Sequence, residues 1–161
     1  MENLHKARME MMEAAGRTAH SFGLNRSLGH LYMFLYLHED SCSLDELVDG
    51  LGISKASVSI ACRQLEQWGA LRRVWKQGDR KDYYEAVSDI SALLNNGILE
   101  TLDKKLNSAQ AQIEQCQELL AQSADGHPEK VKHMQTRLQE AEKYRSRFSS
   151  LLNNKMLRKM I

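Results

Sequence analysis

Ten side chains in the middle of the chain have the types and spacing of a surface that reads a DNA duplex. Eight would stand on one helix opening at Ser54. Ser54, Lys55 and Ser57 lie at its start, where free backbone N–H groups and the helix dipole favour phosphate. Ala56, Ser59, Ile60, Arg63 and Gln67 recur at helical steps on the side away from Val58, Cys62 and Leu65. An Arg fork suits guanine, Gln suits adenine, and Ile60 or Ala56 suits a thymine methyl, so this stripe can contact base edges in a major groove. Arg80 and Lys81 complete the set from a hairpin tip that would reach an adjacent groove or backbone.

Local signals define the elements that must position these groups. Ser43 followed by Glu46 predicts a capping box and a short helix with Leu44, Leu47, Val48 and Leu51 on one face, stopped by Gly52. Ser54 is a second N-cap, and residues 55 to 68 continue with Val58, Ala61, Cys62 and Leu65 inward as far as Gly69. The period then changes from 3.6 to 2. Residues 71–76 and 82–87 read as strands joined through Gln77 to Lys81, which predicts a hairpin with a basic tip. Upstream, residues 2–20 carry Leu4, Ala7, Met11, Ala14 and Ala15 at helical spacing. From Ser27 to about His38 the chain is apolar nearly all round, as a central helix would be. Two helices, a tight glycine turn and a basic hairpin make a winged helix-turn-helix, a more specific arrangement than any of its parts. The competing reading is a small module that docks proteins, its basic residues a solvated face.

The chain has 161 residues and a net charge of +1. Between Ser54 and Lys81 seven basic residues face two acidic ones, a local +5 that leaves −4 for the remainder. Such asymmetry marks an electrostatic footprint on a mildly acidic body. No apolar run reaches the ~20 residues needed to span a bilayer, and no signal-peptide pattern opens the chain, so it is expected in the cytoplasm. No phosphate loop, nucleophile elbow or apolar carboxylate pair suggests catalysis, and no cofactor motif is present, so the reading is binding without enzymatic chemistry.

Cys42, Cys62 and Cys116 match neither a disulfide framework nor a zinc spacing. Cys42 reads as part of a polar, exposed loop, which leaves a cysteine redox response as an alternative mode of control. His38, Asp40 and Cys42 lack a ligand pattern, and no metal is expected. Trp68, Trp75, Tyr83 and Tyr84, with Tyr32 and Tyr36 nearby, could cage a quaternary ammonium by cation–π attraction; filling a small core is the competing role.

From residue 89 to 122 apolar residues run from Leu94 through Leu120 at steps of three and four, predicting one helix about 50 Å long at 1.5 Å per residue. The segment from Ser123 to Pro128 breaks it. A last helix to about residue 158 carries Val131, Met134, Leu138, Ala141, Tyr144, Phe148 and Leu151, and folds back antiparallel. Leu93, Leu99, Leu119 and Leu152 widen the apolar surface beyond one seam. A second chain is the natural cover; a monomeric bundle covered by the first helix, or a docking module for another protein, are the alternatives. The fold is thus read as mainly α with a small β-hairpin: residues 1–88 a winged helix-turn-helix domain, 89–161 long antiparallel helices for dimerisation.

The stretches from Phe22 to Gly29, Leu44 to Leu47, Gly52 to Ser59, Leu65 to Gly69 and Gly78 to Ala86 resemble the GbsR/MarR family of transcriptional regulators over roughly residues 16–88. The resemblance implies a homodimeric repressor that binds double-stranded DNA, with the recognition-helix start on Ser54 to Ser59, the wing on Gly78 to Lys81, and choline as an effector. Proline at Asn25, arginine at His30 and glycine at Ala56 would be the family pattern; the Ala56 methyl sits where backbone would meet DNA, so the resemblance does not carry over an exact base preference.

Overall fold

The computed structural model describes residues 2–122 and 127–160. Its helix ends fall where capping groups place them. Helix α1 (Glu2–Ser21) turns at Gly23 into α2 (Arg26–Tyr36), whose N-cap is Asn25: its side chain accepts from the Ser27 N–H. α2 packs against α1 and also against the winged elements, as its all-round apolarity requires. Next come a two-residue strand β1 (Cys42–Ser43), α3 (Leu44–Leu51), α4 (Lys55–Gln67), β2 (Leu71–Val74) and β3 (Tyr83–Ala86).

The three strands form an antiparallel sheet in the order β1-β3-β2. Leu71 pairs with Ala86 and Val74 with Tyr83 across the hairpin, while Cys42 and Ser43 pair with Tyr84 and Tyr83. The hairpin forms where the sequence places it, but each strand is four residues long rather than six and burial does not alternate strictly: Leu71 and Tyr84 are buried while Arg72 and Arg73 are both exposed. Strand β1 is the element the sequence reading lacked. It makes Cys42 a buried residue of the sheet rather than a loop thiol, because pairing with β3 turns its side chain into the core.

That core joins α2, α3, α4 and the sheet, with Leu31, Leu47, Val58, Cys62 and Leu65 shut off from solvent. Tyr32 fastens α2 to the sheet, its hydroxyl donating to the Val87 carbonyl at 3.2 Å.

Beyond Ser88 the helix expected over 89–122 is interrupted in kind. Leu93–Leu99 is π-helical and α5 (Glu100–Gln122) continues it. The cause is local docking on the end of α4. Asn96 Nδ2 donates to the Trp68 carbonyl at 2.8 Å, and Gly97 lies so close to the indole that an added Cβ would stand 2.9 Å from its Cε3. Compact units accordingly divide between Thr101 and Leu102, whereas the sequence reading placed its functional division after Ser88.

The second unit holds most of α5 with α6 (Pro128–Leu152) and α7 (Lys155–Met160). The break expected at Ser123 to Gly126 lies outside the described residues. Asp103 accepts from Ser149 Oγ at 3.4 Å and from Asn153 Nδ2 at 2.8 Å, joining the start of α5 to the end of α6, as an antiparallel pair must. α6 stops at Leu152, short of residue 158, because Asn154 restarts the chain by accepting the Met156 N–H. Its inward seam is also not the predicted one. Val131, Gln135, Leu138, Glu142, Arg145, Ser149 and Leu152 are the shielded positions, while Met134, Ala141, Tyr144, Phe148 and Leu151 face outward. Among the described residues no helix is long and apolar enough to cross a membrane.

Leu47 is completely buried at the meeting of α3 with the core. Leu47→Ala should lower the unfolding free energy by about 2–5 kcal/mol, the range for a leucine deleted from a packed interior. Urea denaturation followed by circular dichroism checks this.

Candidate nucleic-acid interface

The path from Ser43 to Gln67 is set by helix ends. Ser43 Oγ accepts the Glu46 N–H at 3.3 Å, and the Ser43 N–H donates to Glu46 Oε2 at 2.7 Å, completing the capping box. These contacts hold the Glu46 carboxyl below its usual pKa, the backbone bond from Ser43 contributing most. Gly52 closes α3 in the left-handed region, φ 63°, with its N–H on the Val48 carbonyl, a conformation that strains a residue with a Cβ. Two residues later Ser54 Oγ accepts the Ser57 N–H at 3.2 Å and opens α4.

The inner face of α4 is Val58, Ala61, Cys62 and Leu65, all buried. The outer face exposes Lys55, Ala56, Ile60, Arg63 and Gln67, with Ser57 and Ser59 half-buried at its edges. Ile60 is 65% exposed although it is the most apolar residue of the stripe, so the fold has left it unused. On the hairpin, the Asp79 N–H donates to the Lys76 carbonyl around Gly78 at φ 84°. Asp79 Oδ1 accepts the Lys81 N–H at 2.9 Å, and Oδ2 accepts the Tyr83 hydroxyl at 2.7 Å. The Lys81 N–H is the main cause of the depressed Asp79 pKa. Arg80 and Lys81 are both exposed at this tip.

Charge is distributed less freely than the local +5 implied. Arg72 pairs with Glu85 across the ladder. Arg73 pairs with Glu66 at 2.8 Å and Asp82 at 3.4 Å and lies over the Tyr84 ring. Lys76 donates to the Ser41 carbonyl and sits 4.0 Å from the centre of the Tyr83 ring. Lys55 and Lys81 both reach Asp45, at 2.8 and 3.8 Å. Of the seven basic residues, Arg63 and Arg80 are the two whose side chains have no partner among the described residues. Asp45, Asp82 and Glu85 flank the 54–81 window, which is why a count over that window overstated the free charge.

The four aromatic residues proposed as a cage do not come together. Trp75 is 82% exposed, Tyr84 is buried in the core with Arg73 over its face, and Lys76 occupies the face of Tyr83. Trp68 instead lines an apolar groove of about 270 Å³ with Tyr32, Met11, Leu28, Leu93 and Ile98. Sequence reasoning missed this groove because its walls come from α1, α2, the end of α4 and residues 90–98, segments that no local pattern links.

Neither buried thiol is poised for redox chemistry. Burial pushes the Cys62 pKa up to about 12 and raises that of Cys42 as well, with the Glu66 and Glu46 carboxylates adding to the effect. Since the thiolate is the nucleophile, burial and the upward shift both work against reaction at either thiol. His38 is likewise engaged, stacked on Phe34 with Nδ1 3.1 Å from the Phe34 carbonyl.

Capped helices α3 and α4 about a left-handed glycine, backed by α2 and closed by a three-stranded sheet with a protruding hairpin, define a winged helix-turn-helix protein. Residues 22–82 match the family model described as MarR family. It is 27% identical over 86 residues to the putative HTH-type transcriptional regulator YvaV, covering 53% of this chain and 49% of the relative. It is 28% identical over 93 residues to the HTH-type transcriptional repressor GbsR, covering 58% and 51%. Both relatives are from Bacillus subtilis (strain 168), and the chain spans about half the length of the curated relatives it matches. A crystal structure described as a transcriptional regulator shares the fold over 96% of this chain and 98% of its own, with a TM-score of 0.61 and 22% identity.

Native protein should react with a thiol-specific reagent near pH 8 at Cys116, which is exposed, and not at Cys42 or Cys62. Peptide mapping after labelling reads this out; modification of either buried thiol in folded protein would contradict the packing described.

Proposed function

We propose that the chain is a DNA-binding transcriptional regulator that acts in the cytoplasm as a homodimeric repressor on a palindromic operator. The observation that carries this is the outer stripe of α4. Ile60, Arg63 and Gln67 stand exposed on a helix whose inner face is fully committed to the core, and Arg63 has no side-chain partner among the described residues. Ser54, Lys55 and Ser57 would take phosphate at the helix start; Ala56, Ser59, Ile60, Arg63 and Gln67 would read bases; Arg80 and Lys81 would extend the footprint from the wing. The family and the repressor names among its relatives support the reading.

The dimer is supported by α6. Tyr144, Phe148 and Leu151 are 68%, 47% and 60% exposed along one outward stripe, and a run of exposed apolar residues of this kind marks an interaction surface. A two-fold partner would cover it and bring a second α4, so that two half-sites about one helical turn, ~34 Å, apart are read together. The same stripe favours the second reading, a docking surface for a different protein. For an effector such as choline, we assign the groove beside Trp68 and Tyr32, whose aromatic faces suit a trimethylammonium group. Calorimetric heat with choline that is lost in Trp68→Leu supports this assignment, and absence of heat with the unaltered protein removes choline.

Binding measured by gel shift on the protein's own promoter region should weaken by on the order of 10³-fold between about 50 and 200 mM salt if some six phosphates are engaged. A flat response removes the reading. Arg63→Ala should cost about 1–3 kcal/mol on the preferred sequence and little on random DNA, whereas Arg80→Ala should weaken both alike.

Light scattering should give a dimer that Tyr144→Glu with Phe148→Glu converts to monomers with lost operator affinity. A monomeric parent would assign the stripe to another protein.

A further inference from the structure

Asp45 stands on the first turn of α3, outside every set of residues considered so far for contact with DNA, yet two of those residues end on it. Its Oδ1 takes Lys55 Nζ at 2.8 Å and its Oδ2 faces Lys81 Nζ at 3.8 Å. Lys55 opens α4, and Lys81 ends the wing tip, where Asp79 fixes its backbone N–H. One exposed carboxylate thus ties the start of α4 to the wing and holds two lysine charges, Lys55, which the sequence assigns to phosphate, and Lys81, which it assigns to an adjacent groove or backbone. The Asp45 carboxyl is correspondingly held below its usual range, the Lys55 hydrogen bond being the largest cause.

We propose that Asp45 is a specificity-determining positioning residue that acts as a resident stand-in for DNA phosphate; this rests on the DNA-binding reading above. Without DNA, or on a duplex held loosely at the surface, the carboxylate at contact distance outcompetes phosphates that lie farther away, and neither lysine displaces a counterion from the duplex. When α4 is seated in a matching groove, phosphates arrive at contact distance from the helix start and the wing together, and both ammonium groups transfer to them. Solvent-exposed ion pairs are weak enough for that exchange to be nearly neutral. Asp45 therefore lowers affinity for random DNA while leaving affinity for the fitted site almost untouched.

The test compares Asp45→Asn with the parent on two duplexes, one enriched by the parent protein from a random pool and a scrambled duplex of equal composition. In the variant both lysines are free to release counterions from either duplex. On the scrambled duplex the slope of log affinity against log salt should steepen toward two additional phosphates, ~0.9 for each, and affinity at low salt should rise about tenfold. On the enriched duplex the slope should stay the same and affinity should change by less than about threefold, so the specificity ratio falls. Asp45→Glu, which keeps the carboxylate, should restore the parent's ratio. Asp49→Asn removes the same charge from an exposed position of the same helix, and should leave the ratio unchanged. Equal shifts on both duplexes, an unaltered slope on the scrambled one, or the same effect from Asp49→Asn would overturn the role of Asp45. Failure of the parent to enrich any duplex, or to respond to salt, would instead overturn the DNA-binding reading itself.

Discussion

Everything the chain can present to a groove depends on how α4 leaves α3, and that geometry is decided within a few residues. An α-helix ends with carbonyls that need donors and begins with N–H groups that need acceptors. Between Leu51 and Lys55 the chain must satisfy both kinds while turning sharply. Gly52 does the first in a left-handed conformation with its N–H on Val48, and Ser54 does the second with its hydroxyl on the Ser57 N–H. Once these bonds are made, the phase of α4 is set. Val58, Cys62 and Leu65 enter the core and Ile60, Arg63 and Gln67 cannot. The other end is held by a second device, in which Asn96 caps the Trp68 carbonyl from a helix that widens into π geometry to bring Gly97 against the indole. Helix α4 is therefore fixed at both ends by hydrogen bonds to backbone groups, with packing between them.

Electrostatics then selects which cations on this surface are available. Five of the seven basic residues between Ser54 and Lys81 are engaged by carboxylates, a carbonyl or aromatic rings of the chain itself. Exposed pairs of this kind contribute little to stability. Their effect is on geometry and on competition: a lysine already facing a carboxylate contributes less to long-range attraction than a free one, and its ammonium is held in one place. Arg63 and Arg80, without side-chain partners among the described residues, are the groups whose charge would be felt first by an approaching polyanion.

Much of this was legible in the sequence because the governing interactions are local. The capping box, the two serine caps, the left-handed glycines and the hairpin turn each span only a few residues, and the sides of α4 follow from periodicity alone. What escaped depends on contacts between distant segments. Strand β1 is two residues long and exists through pairing with Tyr83 and Tyr84, so polar neighbours made Cys42 look like a loop residue. The aromatic residues share a region of sequence but not a region of space. The π-helical turn answers to Trp68, some thirty residues away, and the ion pairs of Asp45 join α3 to two elements that follow it.

The case of α6 shows the limit of periodicity most directly. Hydrophobic spacing identified a stripe from Val131 to Leu151 and assigned it to the seam with α5. Yet Gln135, Glu142, Arg145 and Ser149 occupy much of that seam, and Arg145 reaches Glu142 at 2.7 Å there. A seam of this composition gains little from the hydrophobic effect and must be matched by hydrogen bonds such as those of Asp103 with Ser149 and Asn153. The gain forgone there is still present in the chain, on the outward side of α6. A sequence that encoded a self-sufficient helix pair would place its larger apolar side chains between the helices. This one places polar groups that fix register between them and keeps Tyr144, Phe148 and Leu151 outside, so the hydrophobic gain that burying them would bring is left unused within the helix pair.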